Sequence, residues 1–142
     1  MNSELLLDHV GIAVISLDEA IPLWETLLST PASDRETVDS QGVEVVFIGA
    51  ATGRLELIAP LRPNSPVAQF LERRGPGVHH LGYQVPDLPV ALEKLRGQGY
   101  ALVDESPRTG AHGRRIAFLH PRALNGVLVE LVEVPSRTGG NP

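Results

Sequence analysis

Four side chains of this 142-residue chain have the types and the spacing to hold a metal ion: His9 and Glu56 in its first half, His80 and Glu130 in its second. Each sits in an apolar run that recurs. Leu7-Asp8-His9-Val10-Gly11-Ile12-Ala13-Val14 returns as Val78-His79-His80-Leu81-Gly82-Tyr83-Gln84-Val85, and Leu55-Glu56-Leu57-Ile58 returns as Val129-Glu130-Leu131-Val132. A lone strand histidine is more often a hydrogen-bonded residue than a ligand, and a lone strand glutamate usually faces water. Four such residues in matched positions of a duplicated unit need a common cause, and metal coordination is the simplest. Two imidazoles and two carboxylates, with no cysteine anywhere in the chain, suit a borderline divalent ion, cobalt(II), zinc(II), manganese(II) or nickel(II), rather than calcium. An ion that accepts six ligands would keep two neighbouring positions open. A substrate offering two oxygens could bind there and be polarised.

The rest of the composition narrows the setting. A repeat near half the chain length predicts two small modules sharing one core, since neither half buries enough surface to stand alone. No stretch approaches the roughly 20 apolar residues of a membrane span, and Met1-Asn2-Ser3-Glu4 lacks the basic and then apolar pattern of a signal sequence. A cytoplasmic location is the resulting expectation. The net charge of −5 argues against a general nucleic-acid binder.

Elements follow from local pattern. Leu6 to Val14 reads as a strand and is followed by a helix to about Leu28. Asp18 is the expected N-cap, because a start at Ser16 would bury Pro22 deep in the helix. Ile21, Trp24, Leu27 and Leu28 would then form its apolar stripe. Thr30 to Ser40 reads as a loop with an irregular or edge strand. Val43 to Ile48 and Arg54 to Ala59 read as a hairpin around Gly49 to Gly53. Ser65-Pro66 supplies an N-cap and N1 proline for a linking helix to about Arg74. In the second half Val78 to Val85 is a strand, and Asp87 caps a helix with the stripe Leu88, Ala91, Leu92 and Leu95, stopped by Gly97. Further strands are expected at Ala101 to Glu105, Arg115 to His120 and Val127 to Val134. The modules so defined span about 5–62 and 77–134, joined by the helix at 65–74, with a disordered tail at 135–142.

Alternation along the strands separates two faces. His9 shares one with Gly11 and Ala13, and His80 shares one with Gly82 and Gln84. The opposite residues, Val10, Ile12 and Val14, then Leu81, Tyr83 and Val85, suit packing against a helix. Small residues beside each histidine are expected where a cavity stands above the strand. Glu56 and Glu130 lie within apolar runs, where a carboxylate is costly to bury unless something pairs with it. His79 points away from His80, and is read as structural or as supporting it.

The element order and ligand pattern resemble the vicinal oxygen chelate, or glyoxalase-like, superfamily. The resemblance implies an α+β fold in which two βαβββ modules form a cup-shaped, mixed eight-stranded sheet around one metal. Within it, Gly110-Ala111-His112-Gly113-Arg114-Arg115-Ile116-Ala117-Phe118-Leu119-His120-Pro121 and Asn125-Gly126-Val127-Leu128-Val129-Glu130-Leu131 closely resemble the methylmalonyl-CoA epimerases, as do Gln41-Gly42-Val43, Leu55 to Leu61 and Asn64 to Leu71. The likeness covers about Leu7 to Glu133. It implies epimerisation at C2 of methylmalonyl-CoA through a metal-stabilised enolate, with an acyl-CoA as the small-molecule partner and a homodimer as the assembly. Carried over by position, His9, Glu56, His80 and Glu130 match the metal ligands, cobalt(II) being the expected ion, and Glu130 also matches a proton-transfer residue.

The second carboxylate departs from the pattern. Several bacterial epimerases place a catalytic glutamate two positions beyond the Gly-Val of the second strand, where this chain has Val45. Glu44 is one residue earlier, on the opposite face unless a bulge rotates it inward. Either Glu44, His112 or a metal-bound water would have to serve, or the activity differs. Gln84, His112, Arg114 and Arg115 are the candidate substrate-binding residues, and either Arg108, Arg114 and Arg115 or Arg73 and Arg74 could grip the nucleotide phosphates. Other metal enzymes of the superfamily, such as a glyoxalase I or a lyase, and a metal-free binding module remain as alternatives.

Overall fold

The computed structural model describes residues 4–135, so the expected tail falls almost wholly outside the described residues. The chain runs β1 (Leu7–Ala13), α1 (Leu17–Leu28), β2 (Glu36–Val38), β3 (Val43–Ile48), β4 (Arg54–Pro60), α2 (Pro66–Arg74), β5 (Gly77–Val85), α3 (Leu88–Gly97), β6 (Arg108–Thr109), β7 (Arg115–Leu119) and β8 (Val129–Glu133). Short 3-10 turns lie at Ala111–Gly113 and Pro121–Ala123. Either side of α2 the order is strand, helix, strand, strand, strand.

All eight strands join one sheet in the order β2-β3-β4-β1-β5-β8-β7-β6. Each module pairs its first and last strands in parallel, β1 with β4 and β5 with β8, and the modules meet where β1 runs antiparallel to β5. The sheet therefore reads the same from either edge towards that seam, as a duplicated sequence requires. β2 and β6 are the free edges. They approach each other across the cup, where Ser40 donates to the Thr109 carbonyl at 2.7 Å, Arg108 to the Ser40 carbonyl at 3.0 Å, and the His112 amide to Glu36 at 2.8 Å. Side-chain bonds, not a ladder, nearly close the barrel.

The two faces are covered differently. Outside, α1 lays Leu17 and Ala20 on Val46, Ile48 and Leu57, and α3 lays Leu88 and Leu92 on Ala117, Leu119 and Leu131. Each such buried leucine, isoleucine or valine contributes about 1.5–3 kcal/mol by leaving water. Inside, α2 packs Val67, Phe70 and Leu71 against Val43, Val45, Phe47 and Ile58 of the first module. Among the described residues no helix covers the second module's inner face in this way, and there Ile116, Phe118 and Val132 form a smaller cluster.

Three expectations are corrected. Helix α1 is capped by Ser16, whose hydroxyl accepts from the Glu19 amide, and Pro22 lies inside it. Pro22 is exposed, so water can satisfy the carbonyl that its missing N–H leaves free. The earlier start turns the buried stripe to Leu17, Ala20, Ile21 and Trp24, leaving Leu27 70% and Leu28 43% exposed. Finally, 101–105 makes only an isolated bridge, Leu102 to Leu119, and the edge strand is Arg108–Thr109. Asp104 is the reason. Its carboxylate accepts the Phe118 amide at 2.9 Å, taking a donor that a neighbouring strand would need.

Candidate metal centre

The seam between β1 and β5 sets the two imidazoles. In its register His9 faces Gly82 and Gly11 faces His80. A Cβ on Gly82 would collide with the His9 ring, and one on Gly11 with the His80 ring. The glycines thus hold no empty space above their own strand; each gives room to the other module's imidazole. β4 and β8 flank the seam and bring Glu56 beside Gly11 and Glu130 beside Gly82.

The four side chains converge inside the cup, all buried. His9 Nε2 lies 3.0 Å from His80 Nε2, 2.9 Å from Glu130 Oε1 and 3.3 Å from Glu56 Oε1. His80 Nε2 lies 3.0 Å from Glu130 Oε1 and 3.3 Å from Glu56 Oε1. One ligand atom from each residue falls within 4.8 Å of all the others. Glu56 Oε1 is buried without a hydrogen-bond partner, a costly condition that a cation relieves. Two imidazoles, two carboxylates and an unpartnered oxygen fit a divalent ion.

Protons stand in for that charge in the metal-free chain. Burial would lower His9, but its hydrogen bonds with Asp8 and Glu130 and the charge of Glu56 raise it to about 10. Burial also opposes charge on His80, and its bond with Glu130 and the nearby carboxylate of Glu56 raise it to about 9. Glu130 is buried too, yet its bonds with both imidazoles hold it down to about 2.

Behind the ligands stands a group that strand alternation conceals. Asp8 is the extra residue of a bulge between the Leu7–Tyr83 and His9–Gly82 pairs, which lets its carboxylate accept from His9 Nδ1 at 2.7 Å. Gln84 donates to Asp8 at 2.7 Å and Arg54 at 2.9 Å, while Arg114 lies 3.6 Å away. Burial alone would raise Asp8, but these bonds hold it well below the usual carboxylate range. His79 is the matching bulge residue of β5, between the Gly11–His80 and Ile12–Val78 pairs. Its Nδ1 lies 3.0 Å from His80 Nδ1; burial, with the adjacent His80 charge, lowers it to about 4. The repeat carried a signal for this: a polar residue precedes each ligand histidine.

The remaining candidates separate. Glu44 pairs with Ala59 and Thr37 on the outer face of β3 and lies 3.7 Å from Arg35; no bulge turns it inward, and Val45 occupies the inner face. Arg115 also points outward and forms a two-pronged bond with Glu133. Gln84 faces the cup but is held by Asp8. His112 and Arg114 line a pocket of about 20 Å³ that also reaches His9, Glu56 and Glu130, together with Gln41 and Phe47. His112 stacks on Phe47 at 5.0 Å, its φ of 61° in the left-handed region.

Comparison with known proteins accords with this geometry. The sequence model of the Glyoxalase/Bleomycin resistance protein/Dioxygenase superfamily matches residues 8–118. The chain belongs to this superfamily. Among curated proteins, it is 46% identical over 127 residues to the uncharacterized protein YqjC of Bacillus subtilis, covering 89% of this chain and 91% of that one. It is 38% identical over 130 residues to the ethylmalonyl-CoA/methylmalonyl-CoA epimerase of Cereibacter sphaeroides, covering 90% and 97%. Among solved structures, the methylmalonyl-CoA epimerase of Mycobacterium tuberculosis superposes with a TM-score of 0.88 at 38% identity, covering 99% and 96%. A methylmalonyl-CoA epimerase in complex with methylmalonyl-CoA and NH4+ superposes at 0.87 and 31% identity, covering 92% and 95%. No helix of the described residues is long and apolar enough to cross a membrane.

Proposed function

We propose that this chain epimerises methylmalonyl-CoA at C2, as a single domain whose one site is shared by both modules. The observation that carries the reading is the convergence of His9, Glu56, His80 and Glu130 on one point, in a chain whose relatives of similar length are named as epimerases of this substrate. The C2 proton lies between a thioester and a carboxylate. His9, Glu56, His80 and Glu130 would hold the ion, cobalt(II) first, which when bound would polarise two substrate oxygens and acidify that proton.

The chain's own groups then move the proton. Glu130, its carboxylate kept ionised, serves as base on one face. Of the other titratable groups lining the pocket, Asp8 is held by His9, Gln84 and Arg54, whereas His9 and Glu56 would hold the ion without the second, proton-transfer role that the family resemblance gives Glu130. That leaves His112 to return a proton from the loop side. The test is deuterium exchange at C2 of methylmalonyl-CoA by cobalt-loaded protein. Absence of exchange at every metal loading would end the reading. His112→Asn should slow exchange by ~10²–10⁴-fold.

Homodimer formation belongs to the same proposal. Ile15 and Leu23 stand 72% and 71% exposed in the groove between α1 and Gly77, and neighbouring exposed apolar side chains of this kind suit a protein interface. Light scattering should give twice the chain mass, and Leu23→Asp should halve it.

One observation favours a second reading. Val45, not a carboxylate, faces the cup on β3, which would suit a superfamily enzyme acting on a different bidentate substrate, such as a glyoxalase I. Turnover of a glutathione hemithioacetal without turnover of the CoA ester would select it.

A further inference from the structure

Glu36 brings a carboxylate to the inner face of the cup outside the ligand set. β3 turns Val45 to that face, and the residue paired with Val45 across the β2–β3 ladder is Glu36. Val38, two residues along β2, is buried with Val43 and Val45 in the inner cluster, so strand period puts Glu36 on the same side. It stands half-buried at the rim, where edge strand β2 meets the turn at Ala111–Gly113.

Its carboxylate reaches one residue of that turn twice. Glu36 Oε2 accepts the His112 backbone N–H at 2.8 Å, across 76 residues of sequence, and Glu36 Oε1 lies 3.8 Å from His112 Nε2. His112 is also the residue whose backbone most needs holding. Its φ of 61° and ψ of 23° are left-handed, a conformation uncommon for any residue with a Cβ. From there the ring lies against Phe47, with centroids 5.0 Å apart and planes 35° from parallel, and it lines the pocket that reaches His9, Glu56 and Glu130. Phe47 in turn meets the His9 ring edge-on at 5.7 Å.

Other bonds already shape the rim. Ser40 and Arg108 tie the two sheet edges together, and the base of the turn is closed by its own backbone, the Gly110 amide donating to the Arg114 carbonyl at 2.8 Å. What these bonds leave free is the tip. Resting on the reading of His112 as the group that returns the proton, we infer that Glu36 is its positioning residue: the carboxylate holds the His112 backbone in its left-handed conformation and aims the imidazole over the pocket. A misplacement of about 1 Å costs a proton-transfer step on the order of 10²-fold, so a residue that does not itself line the pocket controls the rate through His112.

The test uses the full chain, first without metal. Proton NMR should place the His112 ring signals upfield, through the ring current of Phe47. Glu36→Ala should return them towards the positions of free histidine and speed hydrogen exchange of the His112 amide about tenfold or more. Glu36→Gln, whose side-chain oxygen still accepts that N–H, should leave both as in wild type. In cobalt-loaded protein, Glu36→Ala should lower kcat for methylmalonyl-CoA about 10–100-fold with KM unchanged, Glu36→Gln should recover most of it, and Glu36→Ala should have no further effect in a His112→Asn background. Ser40→Ala removes a closing bond that does not touch His112 and should keep the wild-type kcat. Ring signals and amide exchange unmoved in Glu36→Ala, or an equal loss of kcat with and without the His112 ring, would overturn the inference. Ring signals that follow Glu36 in a protein without C2 exchange would remove the epimerase reading and leave Glu36 as the residue that places His112; C2 exchange that His112→Asn slows, while Glu36→Ala changes neither it nor the ring signals, would do the reverse.

Discussion

Gly11 and Gly82 matter as much to the centre as the residues that would ligate the ion, because each is the space in which the opposite imidazole lies. Gly82→Ala should displace His9 without disturbing the ladder. The expected outcome is bound metal well below one equivalent by elemental analysis, with an unchanged far-ultraviolet spectrum. Asp8→Ala should leave all four ligands in place yet weaken metal binding ~10–100-fold, since the carboxylate fixes the His9 tautomer and ring orientation; competition with a chromophoric chelator measures it. Protonation gives a third expectation. With His9 raised to about 10 and His80 to about 9, both imidazoles are protonated at neutral pH in the metal-free chain. Their contribution to stability is full below the unfolded value of about 6.5 and is lost as pH rises through 9 and 10. Glu130, held down to about 2, contributes above the unfolded carboxyl value and loses that contribution as pH falls towards 2. A metal must displace the imidazole protons, so apparent affinity should climb with pH across the range in which apo stability begins to decline. Affinity independent of pH between about 6 and 9 would contradict the protonation states described.

At the scale of elements, legibility followed how local the determining interaction was. α2 and α3 begin where Ser65-Pro66 and Asp87 place them, because the caps are bonds between near neighbours. α1 departs because two local rules conflict, a good cap at Ser16 and a proline six residues on. The cap prevails where the proline faces water. Ser16→Ala should therefore cost ~1 kcal/mol in urea unfolding, and Asp18→Ala should stay within about 0.5 kcal/mol, as expected of an exposed residue paired only with Arg35. The bulges themselves, as distinct from the polar residues Asp8 and His79 that occupy them, were hidden for a different reason. Alternation puts neighbours on opposite faces, and only pairing across the seam shows that one residue on each strand is left over.

The whole molecule departs from its own symmetry in a useful way. The sheet is twofold, but there is one linking helix, and α2 fills the inner face of the first module while leaving the second more open. Open space on one inner face is thus a consequence of joining two copies by a single chain. Because each module supplies one imidazole and one carboxylate, a bound ion ties the halves together. Cobalt(II) free at 100 times its Kd should stabilise the fold by ~2.7 kcal/mol, seen as a raised Tm that a chelator reverses; an unchanged Tm would place the ion's ligands elsewhere.

The residues in order were enough to establish the duplication, the matched positions of His9, Glu56, His80 and Glu130 and most helix starts. Each of these rests on repetition, strand period or contacts between near neighbours. The carboxylate behind His9, the outward turn of Glu44 and Arg115 and the edge strand at Arg108 were decided by tertiary structure alone. All depend on which residues meet across the seam or the cup, and distances between strands far apart in sequence are not written in local pattern.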